Sequence, residues 1–176
     1  MKMKSIILIF SIALMTISCG STTYLDKASL SSAIEKREFN YNATKAFPLD
    51  NNSVNNILNS FPGAGGAGRL MNLDPGYGFN LKKDFFSVYL PYFGRAFNVS
   101  PGDVNNGGIR FESKEFNIKQ TLTKKGNTLL VITPKDHKVD FVFNLEIFKN
   151  GSAFLSVNSN DRQPISYDGH ISVGAN

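Results

Sequence analysis

Gly63, Gly65 and Gly68 stand in the spacing G-x-G-x-x-G, with which a strand-to-helix turn cradles a dinucleotide pyrophosphate. That chemistry needs a strand before the first glycine and a helix opening at the last. Here Asn59-Ser60-Phe61-Pro62 precedes, and Asp74-Pro75-Gly76 halts the chain six residues after Gly68. The segment reads as a surface loop. His137 and His170, the only two histidines, have no carboxylate or cysteine partner at metal-ligand spacing, so no metal or cofactor is expected and both read as exposed turn residues. A serine hydrolase would need a G-x-S-x-G elbow, which the chain lacks. Two carboxylates could still meet in the fold for glycoside hydrolysis, and Asp84, Glu112, Glu115, Glu146, Asp161 and Asp168 are the candidates. None stands out, and acids scattered along strands are usually solvated.

Cys19 is the one cysteine, and its setting is informative. The chain opens Met1-Lys2-Met3-Lys4, followed by an uncharged 14-residue run from Ser5 to Ser18 rich in Ile, Leu, Phe and Met. A spanning helix needs about 20 apolar residues, so this shorter run ending in small residues reads as a signal peptide over residues 1–18. Cys19 then sits in Met15-Thr16-Ile17-Ser18-Cys19-Gly20, which resembles a lipobox, although Thr16 stands where Leu is usual. Lipidation of its sulfur would make it the membrane attachment point, followed by a polar tether over residues 19–27. Removal of Lys2 and Lys4 with the signal leaves 17 basic and 14 acidic residues, a mild excess without a run, and no nucleic-acid partner is expected.

The elements that must position any site follow from periodicity. Leu30, Ala33 and Ile34 fall at i, i+3, i+4 within Lys27 to Lys36 and predict one short amphipathic helix. Beyond it the period becomes two: Phe39 to Thr44, Gly78 to Lys82, Phe86 to Leu90, Ile109 to Ser113, Phe116 to Thr123, Thr128 to Ile132, Phe141 to Phe148 and Ala153 to Val157. Lys125-Gly126-Asn127 predicts one hairpin turn, and Asn150-Gly151 a second of type I′. Residues 28–176 are thus expected to form a single mostly β domain, an antiparallel sandwich or half-barrel of about eight to ten strands with one N-terminal helix. Fifteen Phe and six Tyr, many at alternating positions, predict an aromatic core, part of which could stay open as a cleft for an apolar or glycan-derived ligand.

Val88-Tyr89-Leu90-Pro91-Tyr92-Phe93-Gly94-Arg95-Ala96, with Gly107-Gly108-Ile109-Arg110-Phe111 and Asp161-Arg162-Gln163-Pro164-Ile165-Ser166-Tyr167-Asp168-Gly169, resembles the DUF4251 family, uncharacterised lipoproteins found mainly in Bacteroidetes. The resemblance covers roughly residues 28 to 172 and implies a signal, a short helix and a β-rich domain, with no activity attached. The insert from Asn51 to Leu70 is richer in Gly and Asn than the family pattern. Pro91 cannot donate to a ladder, so the chain should leave its strand there. Tyr92, Phe93, Arg95, Arg162 and Tyr167 would then form a rim able to meet a ligand or an envelope protein. The expected function is a non-enzymatic envelope lipoprotein; a glycan or cell-wall hydrolase and an assembly factor adding a strand at an open edge are the alternatives. Surface export in these bacteria is associated with acidic residues after the lipidated cysteine; Gly20-Ser21-Thr22-Thr23 has none, so a periplasm-facing anchor is expected.

Overall fold

The computed structural model describes residues 22–49, 71–97 and 108–174. The signal peptide, Cys19 and the start of its tether, the insert from Asn51 to Leu70 and the Gly63 to Gly68 loop lie outside the described residues. Asp26 opens helix α1 (Lys27–Lys36), its carboxylate accepting from the backbone N–H groups of Ala28 and Ser29 at 3.0 Å each. Leu30, Ala33 and Ile34 form its buried face, as their spacing predicts. Among the described residues no helix is long and apolar enough to cross a membrane.

Nine strands follow: β1 (Phe39–Pro48), β2 (Gly78–Lys82), β3 (Phe85–Pro91), β4 (Gly108–Ser113), β5 (Phe116–Leu122), β6 (Thr128–Pro134), β7 (Phe141–Ile147), β8 (Ser152–Ser159) and β9 (Ile165–Ser172). They make one sheet in the order β4-β3-β2-β1-β9-β8-β7-β6-β5, antiparallel throughout, curled into a nearly closed barrel. Every ladder joins sequence neighbours except β1 to β9, which brings the two ends of the domain together.

Alternation around this order makes the two edge strands, β4 and β5, run in the same direction. Only Lys114 and Glu115 separate them, so they are halves of one long bent strand, the first paired with β3 and the second with β6. Lys114-Glu115 is thus a bend within one strand, not a hairpin. Asp136, on the β6–β7 connection, holds the bend. Its carboxylate accepts from Ser113 Oγ at 2.5 Å and from the backbone N–H groups of Lys114 and Glu115 at 2.8 and 3.3 Å, while Lys135 N–H donates to Glu115 C=O at 2.7 Å.

The two predicted hairpin turns are present, but Asn150-Gly151 is not type I′, which would require positive φ at both residues. Gly151 has φ 81° and Asn150 is not among the positive-φ residues. The chain instead makes a type I turn closed by Gly151 N–H to Phe148 C=O at 3.0 Å, and Gly151 forms a bulge through Phe148 N–H to Ser152 C=O at 2.9 Å. The Asn150 carboxamide oxygen is occupied by Ser152 N–H and Oγ at 3.2 and 2.7 Å, which favours this form. A bulge between Ala43 and Lys45 likewise shifts β1: Tyr41 and Ala43 are buried before it, Ala46 and Pro48 after it.

Alternate positions fill the interior. On β7, Phe141, Phe143, Leu145 and Ile147 are buried and the residues between them half-buried. Phe86 on β3 is fully buried and its ring lies 5.2 Å from Phe79, 5.2 Å from Phe143 and 5.8 Å from Phe116 by centroids, tying β2, β3, β5 and β7 across the barrel. Aromatic rings thus pack against one another inside the barrel. F86A should therefore destabilise the domain by about 3–5 kcal/mol in denaturant unfolding, and F86L by markedly less. A loss under about 1 kcal/mol for F86A would contradict a shared central packing site.

The histidines differ from the expectation of exposed turns. His137 is half-buried, 4.6 Å from Phe111 and 5.5 Å from Phe141, and His170 lies within β9. Tyr24 stacks on His170 at 4.4 Å and 11°, and burial pushes the imidazole pKa down. A depressed histidine value means that protonation favours unfolding, so the contribution of His170 is complete above about pH 6.5 and fades as pH falls. Thermal unfolding should show a smaller loss between pH 7 and 5 in H170Q than in the parent chain; equal losses would exclude the imidazole.

Candidate functional site

Two places could bear function: the far end of the barrel, where the family-like segments meet, and the end covered by α1.

At the far end, Pro91 ends β3, and the chain from Tyr92 to Ala96 docks on Asp161 to Gln163. Gln163 N–H donates to Arg95 C=O at 3.0 Å, Phe97 N–H to Asp161 C=O at 2.7 Å, and Ala96 and Arg162 form an isolated bridge. The Tyr92 hydroxyl lies between the carbonyls of Arg95 and Gln163, at 2.9 and 3.1 Å. The Arg162 guanidinium forks onto the Asp161 carboxylate, with Nε to Oδ1 at 3.1 Å and Nη2 to Oδ2 at 2.7 Å, and Nη1 donates to Gly108 C=O at 3.2 Å. Its face covers the rings of Tyr92 at 5.0 Å and Phe141 at 5.7 Å. Burial alone would push the Asp161 carboxyl up; hydrogen bonds from Arg162 and Ser159 and the guanidinium charge outweigh it and hold the group below the usual carboxylate range.

The structure thus brings Tyr92, Arg95 and Arg162 together by their backbones and rings, but it engages the Tyr92 hydroxyl and the Arg162 guanidinium internally. Phe93 is half-buried against the core. Tyr167 is fully buried, so it lies beneath the rim rather than on it: its hydroxyl donates to Pro91 C=O at 2.6 Å, and its own carbonyl accepts from Tyr41 Oη at 3.0 Å. A Tyr at an inward position of β9 packs before it can recognise anything. Arg95 alone turns its side chain to solvent. Of the candidate acids, Asp161 is buried in this ion pair and Glu146 is half-buried, accepting from Asn127 at 2.8 Å; Asp84, Glu112, Glu115 and Asp168 are exposed.

At the other end, α1 lies across the mouth of the barrel with a cleft on each side. One, of about 1020 Å³, runs between α1 and the starts of β1 and β3, with the C-terminal Val173 and Gly174 on its border. Asn40, Asn80, Ser29, Ser32 and Ser87 give it amide and hydroxyl groups. Phe39, Leu81 and Phe85 supply its apolar wall, and Lys36 and Lys82 its flanks. Asn80 donates to Asn40, whose own amide donates to Gly174 C=O at 3.1 Å, so both side chains are oriented. The second, of about 280 Å³, lies between α1 and the turns around Gly126 and Lys149. None of the five rim residues lines either cleft. Among the described residues no three His, Cys, Asp or Glu side chains are grouped as a metal site. Reading the sequence alone missed this cleft: Asn40 and Asn80 are ordinary strand residues until β1 pairs with β2 and sets them opposite each other.

R162A removes the fork and leaves Asp161 buried without it; the expected loss is about 1–3 kcal/mol. R162K should recover only part, because an ammonium cannot fork. R95A should change stability by less than about 0.5 kcal/mol. A depressed carboxyl contributes stability above the ordinary value that is lost as pH falls through the folded value, so acid destabilisation below about pH 4 should be steeper in the parent than in R162A. Equal effects of R95A and R162A in urea unfolding would refute the internal latch.

Comparison with known proteins agrees with this architecture. The model of a domain of unknown function, DUF4251, matches residues 24–171. No curated protein matches the chain. Among solved structures, a DUF4251 family protein from Bacteroides eggerthii is similar, with a TM-score of 0.52 at 16% identity over 83% of this chain and 88% of that one. An alignment at this identity speaks for the fold alone, whereas the family model spans most of the described domain. The chain belongs to the DUF4251 family.

Proposed function

We propose that this protein is a non-enzymatic binding module of the bacterial cell envelope, tethered through Cys19, that holds a small polar ligand in the cleft beside α1. The observation that carries this reading is the cleft itself. Its volume of about 1020 Å³ suits a small molecule, and paired, pre-oriented amides with serine hydroxyls lie opposite an apolar wall. Amides both donate and accept, which fits a hydroxyl-rich ligand of sugar size, and Lys36 and Lys82 at the flanks favour one that also carries negative charge.

The composition of the lining also weighs against hydrolysis. Glu38 is the one carboxylate among the described residues of the larger cleft, whereas the two-carboxylate mechanism needs a pair about 5–10 Å apart across it. The rim at Tyr92 and Arg95 is the weaker candidate for contact, because the Tyr92 hydroxyl and the Arg162 guanidinium are already engaged and Arg95 alone faces solvent.

Native mass spectrometry of residues 20–176, produced in the source cell type and recovered gently, tests the reading. The expected result is excess bound mass that S32F removes, since the new ring projects from α1 into the cleft. A clean apo mass overturns the ligand, and a mass retained in S32F overturns the cleft as its place.

A further inference from the structure

We propose that the α1 end of the barrel is a docking face for an anionic phospholipid bilayer, so that the domain lies flat on the membrane that anchors it. This rests on the reading of Cys19 as the lipidated residue, but it does not require the cleft to hold a ligand.

The first argument is reach. The Asn150 side-chain amide donates to Thr22 C=O at 3.1 Å, Tyr24 N–H donates to Asn150 C=O at 2.9 Å, and the Tyr24 ring stacks on His170. The chain is therefore fastened to the β7–β8 turn from Thr22 onward. Only Gly20 and Ser21 lie between Thr22 and Cys19. Three residue steps, even fully extended, span about 10 Å. A lipid on Cys19 thus holds the β7–β8 turn, and the barrel end to which it belongs, close to the headgroups.

The second argument is charge, which the tether does not determine. Lys27, Lys36 and Arg37 come to this end from α1 and its C-cap, and Lys82 and Lys83 from the β2–β3 turn. Lys124 and Lys125 come from the β5–β6 turn and Lys149 from the β7–β8 turn; the Lys149 ammonium lies beside Gly126. All eight are exposed. Against them stand Asp26, Glu35, Glu38, Asp84 and Glu146, of which Asp26 is committed to capping the helix and Glu146 accepts from Asn127 of the β5–β6 turn. Eight basic residues against five acidic ones leave this end with a net basic excess. Screening extends about 8 Å at physiological salt, so a face held within the reach of the tether feels the surface charge of the lipid. Leu122 and Val173, 74% and 45% exposed, lie at the same end and can enter the headgroup layer.

The test uses a chain beginning at Gly20, which contains the helix and the whole sheet, with sedimented vesicles of phosphatidylcholine alone or mixed with phosphatidylglycerol. Binding should require phosphatidylglycerol, weaken with salt, and fall by more than about tenfold in K82E/K83E/K124E/K125E. R95E, at the far end where Arg95 C=O accepts from Gln163 N–H, should bind as the parent does, and thermal unfolding of each variant checks that it is folded. No preference for phosphatidylglycerol, or equal losses in the two variants, overturns the docking face. Separately, labelled palmitate and membrane fractionation of the full chain against C19A read the anchor. An unlipidated Cys19 overturns the envelope reading, and the orientation with it; a lipidated chain whose vesicles show no charge preference overturns the face alone.

Discussion

An odd number of antiparallel strands cannot close into a barrel through antiparallel ladders alone, because its two edges run the same way. This chain meets the constraint with covalent continuity. β4 and β5 are one strand bent at Lys114-Glu115, so the backbone itself crosses from one sheet edge to the other. A bend in a strand leaves N–H groups without ladder partners, which is costly unless something accepts from them. Asp136 does so from a neighbouring connection, and these hydrogen bonds hold its carboxyl below the usual range. The curl that follows brings Phe86, Phe111, Phe116 and Phe143 together inside the barrel.

Closure gives the two ends different work. At the far end the chain must leave β3 at Pro91 and return into β4, and the Tyr92 to Ala96 segment is seated by the Asp161-Arg162 pair, with the guanidinium between two aromatic rings. A cation so placed is largely withdrawn from water and is neutralised by the carboxylate, which suits an internal joint better than a surface for partners. The residues that carry the family likeness are thus mostly those that hold the barrel together, and family membership brings a fold without an activity.

The helix end is organised differently. α1 covers the barrel mouth with only three buried side chains, leaving clefts on both sides and a border of lysines. The amino-terminal segment reaches the same end and is pinned to it by Asn150. Cleft, charge and amino-terminal segment therefore share one surface.

Much of this was legible in the order of the residues. The helix from Lys27 to Lys36 and the strands β1 to β8 follow from periods that depend only on local geometry, whereas β9 was not predicted; Gly126 and Gly151 mark turns because a positive φ is a local demand. What the local pattern could not carry is anything set by residues far apart in the chain. The type I′ turn expected at Asn150 gave way to a bulged type I turn because Ser152 engages the Asn150 side chain. The bend at Lys114 is held by Asp136, twenty-two residues away from it, a partner no local pattern shows. Tyr167 and Arg162 looked like rim residues because their types suit recognition; strand register turned the first into the core, and the second was taken by its neighbour Asp161. By itself the sequence determined most of the elements, the aromatic interior and the place of the one cysteine, since period and composition are properties of short stretches. Only the tertiary structure decided which polar groups meet, because the pairing of β1 with both β2 and β9 sets Asn40 beside Asn80 and Gly174.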